Sequence, residues 1–99
     1  MSEEYIEYAI KKCQHFADCA GERIEMIDKL ILHIEDMLPR YIEAAGRGGF
    51  DDAKSQLFGF SAYVVARNAL RDFRSLEKAS QEHWMQEKFA LQNQNKGER

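Results

Sequence analysis

Four cationic residues, Arg67, Arg71, Arg74 and Lys78, follow one another at steps of 4, 3 and 4. On a helix this spacing sets them on one narrow stripe, in line with Phe60 and close to Tyr63. Such a stripe can track phosphates or pair with carboxylates. Asp72 and Glu77 lie beside it, so the plainer alternative is a solvated face, or one paired with acids of a neighbouring helix. Phe60, Tyr63, Arg67, Arg71, Arg74 and Lys78 form the candidate partner-binding set. The partner they suit best is a protein with an acidic or apolar surface. Nucleic acid is the second choice, because no known nucleic-acid module accompanies the stripe.

His15, Cys19 and Glu22 stand at steps of 4 and 3 and carry atom types that hold zinc. Glu22 lies just past Gly21, and no further Cys/His cluster supports a centre. A metal-binding helical protein is therefore a remote alternative, and no metal or cofactor is expected. No Glu-x-x-His occurs anywhere, so the di-iron bundle signature is missing. Ser55, Ser61, Ser75 and Ser80 have no base and orienting acid in helical register, and Arg47 sits in a glycine-rich turn without a phosphate-loop lysine. No catalytic residues are assigned, and the chain is not expected to be an enzyme.

The elements that position these residues are legible from periodicity. Ile6, Ile10, Cys13, Ala17, Ala20, Ile24, Ile27, Ile31, Ile34, Leu38, Tyr41 and Ala45 alternate at steps of 4 and 3 without a slip. This keeps one stripe of a long helix turned toward a partner helix. With Ile10 at a and Cys13 at d, the g positions are Ala9, Phe16, Arg23, Leu30, Met37 and Ala44, five of them apolar. The a/d/g face suits a bundle better than a two-stranded zipper. Gly21 falls at e and Pro39 at b; each could end the helix, and Pro39 should bend it or stop it near Leu38. Unbroken phase across both favours one bent helix.

Gly46-Arg47-Gly48-Gly49 is the strong break, after which Asp51 or Asp52 can cap a second helix. That helix shows Phe58, Ala62, Val65, Ala69, Phe73 and Leu76 on one side, read here as its core face. Phe60, Tyr63 and Val64 point roughly opposite. The stretch Leu57–Ala66 is thus apolar on nearly every side and must be covered on every side. Beyond Leu76 the apolar signal thins, and residues 92–99 read as a polar frayed tail behind a single helical domain, 1–91.

The chain has 99 residues, is 44% hydrophobic and 31% charged, and carries one proline and a net charge of −3. Residues 1–52 hold twelve acidic and six basic side chains, and residues 53–99 hold five and eight. Acidic first helix beside basic second helix is the simplest use of that division. Cys13 and Cys19, six apart, point to different sides of one helix and cannot bridge within it. The acidic N-terminal residues do not resemble a signal peptide, and the longest uncharged run, Ser55–Ala66, is too short to span a bilayer. A cytoplasmic protein without membrane association is the expectation.

The sequence therefore predicts an all-α fold, a long antiparallel αα-hairpin that pairs into a dimeric four-helix bundle. The alternative is a three-helix monomer broken near Gly21 and Gly46. Ile24, Ile27, Ile31, Ile34, Leu38 and Tyr41 are the expected self-association residues. The expected role is a small interaction module: an adaptor, chaperone, inhibitor or regulatory subunit.

Overall fold

A computed structural model describes the backbone of residues 2–97 and the side chains of residues 2–94. Helix α1 spans Glu3–Arg47, and helix α2 spans Phe50–Gly97. The Ser2 hydroxyl accepts from the Tyr5 amide at 3.2 Å, and Glu3 and Glu4 occupy the first turn. This is a side-chain N-cap with acids near the positive end of the helix dipole. Arg47 closes the last turn of α1 beside Glu43.

α1 runs unbroken through Gly21 and Pro39, so the three-helix arrangement does not form and the helix does not stop near Leu38. Pro39 is exposed, on the side away from the apolar stripe. Its missing N–H removes one backbone bond at a solvent-facing position. The break is shorter than the glycine run: Gly46 and Arg47 remain helical, and only Gly48 and Gly49 separate the helices. The Gly49 carbonyl accepts from the Ala53 amide at 2.9 Å. Asp51 and Asp52 therefore lie inside the first turn of α2, as dipole partners and not as the expected cap. The polar segment from Gln92 begins inside α2, which is helical through Gly97; Glu98 and Arg99 lie outside the described residues.

The two helices form an antiparallel hairpin with two compact units. One comprises residues 26–74 around the turn; the other takes the remainder of both helices. In the turn unit, Tyr41 packs on Tyr63 with ring centroids 5.4 Å apart, Glu35 meets Arg71 at 3.0 Å, and Asp28 meets Arg74 at 2.6 Å. Ile34 and Leu38 are buried there. In the other unit, Arg23 meets Glu77 at 2.8 Å, Phe16 lies against Trp84 at 4.8 Å, and Lys88 donates to the Gln14 side chain at 2.6 Å. Its buried residues are Ile6, Cys13, Ala17 and Ala20. All six buried residues belong to the predicted α1 stripe. Three of the four in the second unit are small, and Gln81 and Trp84 of α2 lie over that region.

Two helix-interior glycines differ in what they face. A Cβ on Gly59 would stand 2.7 Å from Cε1 of Tyr41, inside the ring that packs on Tyr63. A Cβ on Gly21 would meet only the far end of the Gln81 side chain, at 2.9 Å. The first obstacle is a packed ring and the second a movable amide. Gly59→Ala should destabilise the protein by about 1–3 kcal/mol through overpacking. Gly21→Ala should be neutral or stabilising by up to about 1 kcal/mol, the helix-propensity gain. Chemical denaturation of both variants checks this, and equal losses at the two positions would contradict it.

Burial, followed by hydrogen bonding to Tyr63 and the proximity of its charge, raises the Tyr41 phenol above its ordinary value. Folding thus favours the protonated phenol. The contribution is complete below the unfolded value of about 10 and is lost as pH rises through the folded one. Tyr41→Phe should therefore lose less stability than the parent between neutral and strongly alkaline pH, as read from urea midpoints across that range.

Candidate interaction surface

Helix α2 carries two different stripes, and their orientation decides the site. The positions at Ala53, Gln56, Phe60, Tyr63, Arg67, Leu70 and Arg74 are half-buried in the turn unit. Their steps alternate 3 and 4, the signature of a face held against one neighbouring helix. Glu77, Gln81, Trp84, Lys88 and Leu91 continue the same spacing in the other unit, again half-buried. The contacts of Tyr63, Arg74, Glu77, Gln81, Trp84 and Lys88 with α1 identify this as the inner face.

Most of the candidate partner-binding set consequently lies within the hairpin. Phe60, Tyr63, Arg67 and Arg74 are half-buried on the inner face. Arg71 stands at its margin, bound to Glu35, and Lys78 is exposed. Donation of a hydrogen bond to Asp28, then the carboxylate's charge, raises the Arg74 guanidinium above its ordinary value, against a smaller opposing effect of burial. These contacts match the alternative reading of the basic stripe, in which it pairs with acids of the first helix. Arginine can serve at such positions because its aliphatic stem covers apolar surface while its head reaches an acid. Arg67 is different: its Nε is buried without a hydrogen-bond partner.

The expected self-association residues are likewise turned inward. Ile34 and Leu38 are buried, and Ile24, Ile27, Ile31 and Tyr41 are half-buried. Their stripe is occupied by α2 of the same chain.

The outer stripe of α2 departs from expectation. Phe58, Ala62, Val65, Ala69, Phe73 and Leu76 were expected to form the core face, yet all six are exposed. Phe58 is 67% exposed, Val65 68% and Phe73 59%. Hydrophobic periodicity alone picks this stripe because it is uniformly apolar, whereas the inner face mixes aromatic, aliphatic and charged residues. The missing signal was available: Ala53 to Leu91 keeps an unbroken 3-and-4 rhythm when long polar side chains are counted as face-formers. At the turn end of the outer stripe, Phe50, Ala53, Lys54, Leu57, Phe58 and Ser61 line an open apolar groove. Phe50 and Leu57 are themselves largely exposed.

The metal candidates come only partly together. Cys19 Sγ lies 3.6 Å from His15 Nε2, but no group of three potential ligands forms among the described residues. No helix among the described residues is long and apolar enough to cross a membrane.

What the arrangement offers chemically is an apolar helical surface bounded by a few charges. No family model matches the chain, and no curated protein or solved structure is similar enough to count as a relative.

Proposed function

We propose that the protein is a small non-enzymatic interaction module whose hairpin presents the outer face of α2 to a protein partner. Adaptor, chaperone, inhibitor and regulatory-subunit roles all use a surface of this kind. One observation carries the reading: Phe58, Val65 and Phe73, each more than half exposed, stand on one side of one helix with Ala62 and Ala69 between them. Isolated exposed apolar residues are ordinary, but a contiguous apolar stripe marks a surface that another molecule covers. The same helix is anchored on its opposite side by the Tyr41–Tyr63 contact and by Asp28 and Glu35. The stripe is thus displayed on a braced element, which lowers the ordering cost of binding. Cys13 and Cys19 are free thiols, which supports a reducing compartment such as the cytoplasm as the place of action.

The basic stripe supports this reading less than its sequence suggested. Arg71 and Arg74 already hold Glu35 and Asp28, so a phosphate would have to displace bonded carboxylates.

The test is affinity capture from the native host with the parent and three variants. Val65→Glu and Phe58→Ser should lose the proteins that the parent retains, because each change puts polarity into an apolar contact. Arg71→Glu should retain them while weakening the hairpin by pairing it with Glu35. Identical capture by the parent and both stripe variants would refute the outer face of α2 as the working surface.

A further inference from the structure

We infer that the outer face of α2 in the turn unit docks a second copy of this chain, with the two α2 helices antiparallel about a two-fold axis near Val65 and Ala66. The inference rests on the reading of this face as an interaction surface and names its occupant.

The stripe is symmetric in size. Phe58, Ala62, Val65, Ala69 and Phe73 run large, small, medium, small, large. The two phenylalanines and the two flanking alanines share one midpoint, between Val65 and Ala66. A two-fold contact must be self-complementary, because the same patch serves both copies. Antiparallel pairing about that midpoint sets Phe58 opposite the partner's Phe73 and Ala62 opposite the partner's Ala69. The central alanines let the helix axes approach, and the phenylalanines close the two ends.

The groove and Phe73 fit the same geometry. Phe58 and Leu57 wall an open apolar groove at one end of the stripe. Phe73 projects at the other end, 59% exposed. The two-fold carries each Phe73 toward the groove of the other copy, so one contact is made twice. Buried aromatic anchors in such pockets dominate interface energetics.

Charge points the same way. No Asp, Glu, Lys or Arg occurs from Ser55 through Ala66. The centre of the stripe therefore has nothing to select a charged partner, and nothing to repel its own copy. Lys54 and Asp72 lie on the same helical line at opposite ends of the stripe. Antiparallel pairing keeps the two Lys54 residues at opposite ends of the contact, each about five residues beyond the partner's Asp72; parallel pairing would set like charges side by side.

The test uses the purified full chain. Light scattering and native mass measurement should give twice the chain mass of 11.5 kDa. Val65→Glu should weaken dimerisation about a hundred-fold or more, because a carboxylate would be buried unpaired at the axis. Its helical circular dichroism should be unchanged, since the side chain is exposed in the single hairpin. Should that variant unfold, Phe73→Ala supplies the same reading by removing a side chain without adding charge. Orientation is read by disulfide trapping with Cys13 and Cys19 replaced by alanine. A mixture of Ala62→Cys and Ala69→Cys chains should cross-link, and Ala62→Cys alone should not. A monomer at every concentration up to the solubility limit overturns the proposal, and so does a dimer indifferent to both variants. Cross-linking of Ala62→Cys chains with themselves overturns the antiparallel arrangement. A monomer that still captures another protein through Val65 would remove self-pairing and leave the interaction-module reading standing.

Discussion

One neighbouring helix can cover only one side of another. In the turn unit, α2 is apolar on two sides: Phe60, Tyr63 and Leu70 on one, and Phe58, Val65 and Phe73 on the other. The single-chain fold spends α1 on the first and leaves the second bare. Both the half-buried character of the whole inner face and the exposure of the outer stripe follow from that limit. The buried residues all lie on α1, along the face that α2 covers. Across the described residues, no residue of α2 reaches full burial.

Register in the hairpin is set by contacts of two kinds. Aromatic pairs supply apolar area, Tyr41 with Tyr63 in the turn unit and Phe16 with Trp84 in the other. Charged pairs supply direction: Glu35 with Arg71, Asp28 with Arg74, and Arg23 with Glu77. Each exposed pair contributes little alone, but a shifted register would lose all of them together. Glycine at 59 adds a steric condition, since Tyr41 occupies the space that a side chain there would need. The hairpin is thus specified by matched shape and charge along a modest apolar seam, more than by a deep core.

Much of this was legible in the sequence. The twelve-residue stripe from Ile6 to Ala45 gave the length and inward face of α1, and its constant phase carried the helix through Gly21 and Pro39. Ser2 with Glu3 and Glu4 marked the start, and the run Gly46-Arg47-Gly48-Gly49 marked the turn, of which only the last two residues leave the helices. The division into an acidic first helix and a basic second one anticipated the pairing of Asp28 and Glu35 with Arg74 and Arg71. The reading failed on the rotation of α2 about its own axis. Apolar content favoured Phe58, Val65 and Phe73 as the core side, while Arg67, Arg74, Gln81 and Lys88 disguised the true inner face as a polar one.

Sequence by itself determined the elements here, because helix periodicity, caps and glycine breaks are local properties of the chain. It also determined that α2 is apolar on more than one side, since that follows from composition around a cylinder. Which side meets α1 was decided only by tertiary structure. Two stripes compete for one neighbour, and the choice depends on long-range contacts that no local window contains. Tyr41 fits over Gly59, Asp28 and Glu35 reach Arg74 and Arg71, and the long stem of Arg74 packs where Asp28 still meets its charge. Those contacts turn the polar-looking stripe inward and leave the apolar one facing out.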